Sequence, residues 1–206
     1  RSTTYRCHSG AYRNSTRPRS SRSRRAPTVI LSLDASTAQG SVALLHRGQV
    51  ARELFPDTPR GRGGALFSAL EEVLHQAPTI RRVVVGVGPG GYNGIRTAFA
   101  AAWGIGTARK IPLVGISSVL GLADGEYFAV GDARRQQYFL AQVRRGTFIS
   151  EPGLLTREQV EAELHKAAHL PIFASAPNEF LPHAILRTPS PAKLGVLAAD
   201  WPPNEP

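Results

Sequence analysis

An apolar strand, a glycine-rich turn and a long apolar helix follow one another in the middle of this chain, and this succession most constrains its fold. Arg82 to Val87 is a continuous apolar run, which predicts a strand at the centre of a sheet. Gly88-Pro89-Gly90-Gly91 is expected to form a tight turn, because glycine accepts positive φ without steric cost. The turn opens into a predicted helix from Ile95 to about Lys110. Such a unit predicts an α/β fold with a mixed sheet.

Further apolar runs lie on both sides of this unit. We predict three strands before it, of which the second and third form a hairpin that turns at Arg47-Gly48. An amphipathic helix is predicted to follow them. The predicted segments of this part are Val29–Leu33, Ser41–His46, Gln49–Phe55, the helix Ala65–Gln76, Pro112–Ile116 and a short helix capped by Ser117. A smaller unit follows, with predicted segments Tyr127–Val130, Tyr138–Val143, Phe148–Ile149, a helix from Thr156 to about His169, Pro171–Ala174 and the helix Pro191–Ala199. No internal sequence repeat is visible.

The glycine-rich turn superficially resembles a dinucleotide-binding fingerprint, in which backbone amides approach a pyrophosphate at a helix N-terminus. That fingerprint also needs an acidic residue about twenty positions further on, where this chain has Lys110-Ile111-Pro112. A Walker-type phosphate loop needs a lysine after the glycines, but Tyr92 follows Gly91. The pattern therefore favours a structural turn over either kind of nucleotide site.

Positive charge is concentrated near the beginning of the chain. The formal net charge is +10, but eight arginines and no acidic residue lie in residues 1–28. The other 17 basic side chains nearly balance 15 acidic ones, so a uniformly basic nucleic-acid-binding face is not indicated.

The single cysteine, Cys7, excludes an internal disulfide framework and fits a cytoplasmic location. No stretch approaches the roughly 18 apolar residues of a membrane-spanning helix.

Residues 1–28 are predicted to be a disordered basic extension, since they contain no apolar run that could offset the entropy of ordering. Three interpretations remain open: an organellar transit peptide, an arginine-rich arm that holds RNA, and a segment outside the native protein. The third rests on the lack of methionine and on Val29, where a GTG start codon would fit. Peptides from residues 1–25 in mass spectra of the native protein would contradict it.

Several motifs resemble those of the TsaB family in order and spacing. The turn from Gly88 to Arg96 is similar to the family signature G-P-G-S-F-T-G-[LIV]-R. Four more blocks resemble family motifs, namely Ile30–Thr37, Gly40–Leu44, Ile111–Ser118 and Asp132–Tyr138. The chain departs from the family at Gly91, Tyr92 and Asn93, which replace Ser, Phe and Thr, and at Arg62, where a histidine is common.

The resemblance implies an actin-like ATPase fold (ASKHA, RNase H-like), with two lobes built on mixed β-sheets and a truncated second lobe. The implied domains are residues 29–122 and 123–206, after the extension at 1–28. In active relatives, an aspartate in the position of Asp34 supports a nucleotide-bound magnesium ion, and the next residues hold phosphate. Asp34, Ser36 and Thr37 are therefore a candidate vestigial phosphate loop. The alternative is an Asx-type turn that ends the first strand.

The resemblance also implies a binding role without catalysis. TsaB proteins are partners of TsaD, which transfers a threonylcarbamoyl group to the adenosine beside the tRNA anticodon. The implied partners are TsaD, TsaE, tRNA indirectly through the complex, and a second copy when the chain is alone. No cofactor is expected beyond weak ATP or ADP binding within the complex. In the family, the two first-lobe helices form the interface; the residues expected there are Leu66, Ala69, Val73, Ile95, Ala98, Ala101, Ala102 and Ile105.

The residues suggest neither a catalytic nor a metal-binding constellation. A G-x-S-x-G nucleophile elbow is absent from the sequence. His165 and His169 have the i, i+4 spacing of a metal pair but lack the adjacent glutamate of a zincin, which favours solvated helix histidines. Alternatives remain a small-molecule kinase or ATPase of the same superfamily, a metal-dependent glycoprotease, and an RNA-binding protein acting through its arginine tail. Tight ATP-magnesium binding by the isolated protein would favour the first.

Overall fold

The computed structural model describes residues 29–56, 64–77, 79–149 and 152–199, so the basic extension, Cys7 and Arg62 lie outside the described residues. The strands are β1 Val29–Asp34, β2 Ser41–His46, β3 Gln49–Leu54, β4 Arg82–Gly86, β5 Leu113–Ile116, β6 Glu126–Asp132, β7 Tyr138–Arg144, β8 Thr147–Phe148, β9 Gly153–Leu155, β10 Ile172–Ala174 and β11 Ile185–Leu186. The helices are α1 Gly64–Gln76, α2 Tyr92–Arg109, α3 Arg157–Lys166 and α4 Pro191–Leu197, with a 3₁₀ helix at Ser118–Gly121.

Two mixed sheets share one strand order. The first runs β3-β2-β1-β4-β5, with an antiparallel meander from β1 to β3 and parallel β4 and β5. The second runs β11-β10-β6-β7-β8, where β6, β7 and β8 form the meander and β10 and β11 lie parallel to β6. Both meanders turn at an Arg-Gly pair with positive φ, Arg47-Gly48 and Arg145-Gly146. The fold thus contains an internal repeat that the sequence does not show, and the predicted two-sheet α/β fold is confirmed.

Helices cover the sheets in layers. Alternate residues of β1 and β4 point to opposite faces of the first sheet, and each face receives apolar residues from both strands. On one face, Leu31, Leu33 and Val85 pack with the apolar sides of α1 and α2. The opposite face forms a core with α4 and the second sheet; its members include Ile30, Leu45, Val84, Tyr127, Val143, Phe173 and Leu194. Because this core joins both sheets, the predicted boundary between residues 122 and 123 stays a prediction.

The second sheet lacks a counterpart of α2. In the first sheet, α2 connects β4 to β5. In the second sheet, residues 175–184 connect β10 to β11 through turns and bends. The outer face of this sheet is covered by α3, whose Val160 is completely buried with Phe128 and Val130. None of the helices within the described ranges is long and apolar enough to cross a lipid bilayer.

Helix ends differ from prediction where long-range contacts decide them. Helix α2 begins at Tyr92, three residues before the predicted start, because Gly94 allows its first turn to approach the carbonyl oxygen of Ala35. The 3₁₀ helix follows Ser117 as predicted, but the Ser117 hydroxyl donates to the Gly88 carbonyl instead of capping it. Helix α3 ends at Lys166, which leaves His169 outside the predicted helix. Strands β9 and β11 were not predicted, since two or three residues show no periodicity.

The start of α3 follows the sequence signal closely. Thr156 and Gln159 form a capping box, in which the Thr156 amide donates to Gln159 Oε1 at 2.9 Å. In return, the Gln159 amide donates to Thr156 Oγ1 at 3.4 Å. This reciprocal pair satisfies two amides that the first turn would otherwise leave without partners. The local sequence alone therefore fixes this helix start.

Candidate functional site

The turn after β1 holds the candidate phosphate loop. Asp34 is completely buried, and its Oδ1 accepts hydrogen bonds from the Ser36 amide at 2.8 Å and from the Ser36 hydroxyl at 2.7 Å. The Thr37 hydroxyl donates to the Gln39 carbonyl oxygen at 2.7 Å. All three predicted site residues therefore lie together, but each bonds within the turn. The geometry is that of an Asx turn.

The other carboxylate oxygen of Asp34 is enclosed by two segments of the first lobe. Oδ2 has no hydrogen-bond partner of normal geometry among the described residues, although Ser118 lies close to it. The Ser118 hydroxyl accepts from the Gly88 amide at 2.9 Å. A side-chain carbon on Gly86 would lie 1.7 Å from Asp34 Oδ2 and 2.7 Å from Ser118 Oγ. Glycine at position 86 thus leaves the space that Asp34 occupies.

The glycine-rich turn packs directly against the Asp34 turn. The Gly91 amide donates to the Ser36 carbonyl oxygen at 2.7 Å. A side-chain carbon on Gly90 would lie 2.1 Å from the same oxygen, and one on Gly94 would lie 2.0 Å from the Ala35 oxygen. Gly90 and Gly94 thus allow a backbone approach that any larger residue would prevent. The space in front of the Asp34 turn is occupied by the chain itself.

These contacts do not fit a magnesium-bound nucleotide. A magnesium ion requires exposed oxygen ligands in octahedral geometry, usually with several waters. The Asp34 carboxylate is completely buried, and its better-placed oxygen already accepts two hydrogen bonds. The hydroxyl groups of Ser36 and Thr37 are also engaged. Holding a nucleotide at this turn would therefore require the glycine-rich turn to move away.

Burial raises the pKa of the Asp34 carboxyl above its usual 3.8, and hydrogen bonds from Ser118 and Ser36 lower it only in part. Folding therefore shifts the equilibrium of this carboxyl towards its protonated form relative to the unfolded chain. The contribution of the Asp34 carboxyl to the free energy of unfolding is fully present below pH 3.8. This contribution is lost as the pH rises through the raised pKa of the folded protein.

Asp34→Asn should remove this pH dependence, because asparagine is neutral throughout. The free energy of unfolding of the variant, minus that of the wild type, is expected to rise with pH above 3.8. Each unit of pKa shift corresponds to about 1.4 kcal/mol. Urea unfolding of both proteins across a pH series gives this difference. A difference that stays constant with pH would contradict the expectation.

The predicted partner-interface residues lie mostly in the protein's own core. Leu66, Ala69 and Val73 of α1, and Ala98 and Ala102 of α2, are buried against the first sheet. Ile95, Ala101 and Ile105 are half-buried. An apolar stripe on a surface helix first serves the sheet beneath it, and the five buried side chains do so here. That all eight side chains belong to a partner interface stays a prediction.

The outward surface of the same two helices carries large aromatic side chains instead. Phe67 of α1 is 49% exposed, and Phe99 and Trp103 of α2 are 39% and 58% exposed. The Phe99 and Trp103 rings pack edge to face with centroids 5.9 Å apart. We call these three residues the aromatic face. Beside it lies a groove of about 390 Å³ between α1 and α2, whose lining includes Phe67, Leu70, Leu74 and Arg109.

Other candidate groups are not brought together. His165 is exposed and its Nδ1 contacts the Glu161 carbonyl oxygen at 2.7 Å, whereas exposed His169 lies beyond the end of α3. Within the described residues, no three His, Cys, Asp or Glu side chains are grouped to hold a metal ion. Arg134 and Arg135 are exposed in the turn between β6 and β7, both with positive φ. Their geometry alone assigns them no ligand.

Two mixed sheets with one repeated strand order, joined through a common core, define a protein of the actin-like ATPase fold class. The family model described as TsaD, tRNA N6-adenosine threonylcarbamoyltransferase, matches residues 64–151. The solved structure of YeaZ from Pseudomonas aeruginosa has the same fold, with a TM-score of 0.65 and 23% identity over 84% of this chain and 91% of that one.

Two curated relatives carry the same name. The tRNA threonylcarbamoyladenosine biosynthesis protein TsaB of Escherichia coli is 28% identical over 66% of this chain and 62% of its own length. The protein of that name from Bacillus subtilis is 30% identical over 64% of this chain and 59% of its own length. The match thus spans about three fifths of each relative. These comparisons support a TsaB/YeaZ assignment for the chain, as its motifs predicted.

Proposed function

We propose that this protein is a non-catalytic partner of a TsaD-type threonylcarbamoyltransferase in the formation of N6-threonylcarbamoyladenosine on tRNA. The family assignment supports a role in this pathway, because the matched relatives are named as its biosynthesis proteins. Binding of TsaE, and of a second copy in the absence of TsaD, belongs to the same proposal. So does a cytoplasmic location, where tRNA is modified.

The observation that carries the partner role is the aromatic face. Three large apolar side chains, each more than one-third exposed, lie on the surface of two helices that pack on the same sheet, and Phe99 and Trp103 are in contact. Partly exposed aromatic residues beside a groove are typical of the energetic centre of a protein interface. The inward sides of α1 and α2 are fixed on the sheet, so their outward sides are presented on a rigid base. Helices held in this way can bind a partner without reorganisation.

The contacts of the Asp34 turn support the non-catalytic part of the same proposal. In this conformation Oδ1 of Asp34 and the hydroxyl groups of Ser36 and Thr37 are engaged within the chain. We therefore assign this protein the role of a binding subunit, with threonylcarbamoyl transfer carried out by the TsaD partner. Any weak ATP or ADP binding is assigned to the assembled complex.

Reconstitution with a TsaD and a TsaE from a related bacterium tests the proposal. Transfer of the threonylcarbamoyl group from its adenylate to tRNA would be measured with and without the full chain. We expect transfer to depend on the chain, and size-exclusion chromatography with light scattering to show a one-to-one species with TsaD. Transfer by the isolated chain would contradict the non-catalytic role. A chain that neither joins TsaD nor changes the rate would contradict the partner role.

A further inference from the structure

We propose that Asp34 is a positioning residue for helix α2 and its aromatic face, and not a metal ligand. The inference rests on the proposed function for the identity of the partner, but its structural part concerns this chain alone. It starts from a buried acidic side chain to which the proposed partner role assigns no task. Asp34 is completely buried at the end of β1, where a carboxylate is expected only if it fulfils a specific role.

The contacts of Asp34 lead directly to the start of α2. Oδ1 of Asp34 accepts from both the amide and the hydroxyl of Ser36 and so fixes the turn. The carbonyl oxygen of Ser36 then accepts from the amide of Gly91 at 2.7 Å. Gly91 is the N-cap residue of α2. A chain of hydrogen bonds thus joins Asp34 to the N-cap residue of the helix that carries Phe99 and Trp103.

Helix α2 depends on this turn, because its own sequence supplies no side-chain cap. The N-cap residue, Gly91, has no side chain that could accept a hydrogen bond from the first amides of the helix. The first turn of α2 also contains no acidic residue. The first amides of a helix otherwise lack partners and carry a partial positive charge. The Asp34 turn places the carbonyl oxygens of Ala35 and Ser36 against Gly94 and Gly91. The Ser36 oxygen accepts from the amide of the N-cap residue Gly91, and the Ala35 oxygen lies against Gly94 in the first turn.

The same turn is held from a second side. The Ser118 hydroxyl lies beside the Asp34 carboxylate and accepts from the Gly88 amide, while the Ser118 amide donates to the Gly88 carbonyl oxygen at 2.8 Å. Gly88 precedes the N-cap of α2 by three residues. Asp34 and Ser118 therefore clamp the glycine-rich turn at both of its ends. The turn from which α2 begins is therefore held in place from two sides.

Hydrogen exchange of individual amides, followed by NMR, tests the inference in the full chain. Asp34→Ala should speed exchange of the Gly91 amide about tenfold relative to amides of β6, since the turn that accepts its hydrogen bond loses its support. Asp34→Asn keeps an acceptor at Oδ1 and should restore slow exchange. Affinity for the TsaD partner should fall about tenfold in Asp34→Ala and recover in Asp34→Asn.

Two further variants sharpen the test. Ser32→Ala is the matched control, because Ser32 is equally buried on the same face of β1 and its hydroxyl has no partner among the described residues. It should change neither exchange nor affinity. Ser36→Ala removes one of the two bonds to Asp34 and keeps the other. It should raise Gly91 exchange to a smaller extent, which keeps the test available if Asp34→Ala does not fold.

Each outcome decides the inference. Faster exchange confined to Gly91 and the first turn of α2 supports it, even if the wild type binds no TsaD and the proposed function fails. Unchanged Gly91 exchange in Asp34→Ala, or in Ser36→Ala if the former is unfolded, would overturn it. A uniform rise in exchange over both sheets would indicate general destabilisation and overturn it as well. Magnesium-dependent ATP binding that Asp34→Asn abolishes would show a metal ligand instead.

Discussion

Gly86→Ala is expected to lower the free energy of unfolding by about 3 kcal/mol or more, through overpacking and the loss of buried hydrogen bonds. The added carbon would lie 1.7 Å from Asp34 Oδ2, so the carboxylate would have to leave its position. Any rotation of Asp34 breaks the two bonds that Oδ1 accepts from Ser36. Urea unfolding followed by circular dichroism measures the loss, and we expect much of this variant to be insoluble.

Gly104→Ala is the matched control for this substitution. A side-chain carbon on Gly104 would meet no atom within 4 Å, and Gly104 lies in the middle of α2. Alanine is preferred to glycine in a helix interior by about 1 kcal/mol, so this variant should be more stable than the wild type. If both variants lost similar stability, the explanation through Asp34 would be wrong.

Trp103→Glu is expected to weaken binding to TsaD about thirtyfold or more, the typical effect of removing a central aromatic residue from an interface. The Trp103 side chain is 58% exposed and contacts Phe99 in the aromatic face. A carboxylate at this position would place a charge in an apolar contact that excludes water. Isothermal titration of the TsaD partner with the wild type and the variant measures the effect.

Leu154→Glu provides the comparison, because Leu154 is a large apolar residue with a similar exposure of 60% but lies on β9 of the second sheet. Both substitutions are at exposed positions and should change the free energy of unfolding by about 0.5 kcal/mol or less. Only Trp103→Glu should reduce the affinity for TsaD. Equal affinity of the two variants would place the interface elsewhere.

Much of the first lobe could be predicted from local sequence. Strands β1, β2 and β4 are runs of apolar residues, and Arg47-Gly48 marks the turn between β2 and β3. The capping box at Thr156 fixes the start of α3 for the same reason. In each case, the residues that determine the element lie within it or next to it. The internal repeat is different, since it appears in the order of strands and is not visible in the side chains.

The site was harder to predict, because distant segments determine it. The sequence places an aspartate at the end of a strand, but its burial depends on Gly86, Ser118 and the glycine-rich turn. The apolar pattern of α1 and α2 identifies residues that avoid water, without telling which side packs on the sheet. The most regularly spaced positions, such as Val73 and Ala102, proved to be core residues. Phe67 and Trp103 lie outside this buried set and are exposed on the outward surface of the helices.

Because the described part of the second half has no counterpart of α2, the molecule presents one partner-binding face of this kind and not two. Two repeated halves with equivalent helices would offer two similar faces, and such a subunit can link neighbours into an open row. Here, residues 175–184 form turns and bends where the first half has an eighteen-residue helix, so among the described residues only the first half presents a long aromatic-bearing helix. A chain built in this way can cap one partner and stop the assembly there. We therefore expect closed complexes of fixed size, and no filaments, at any protein concentration.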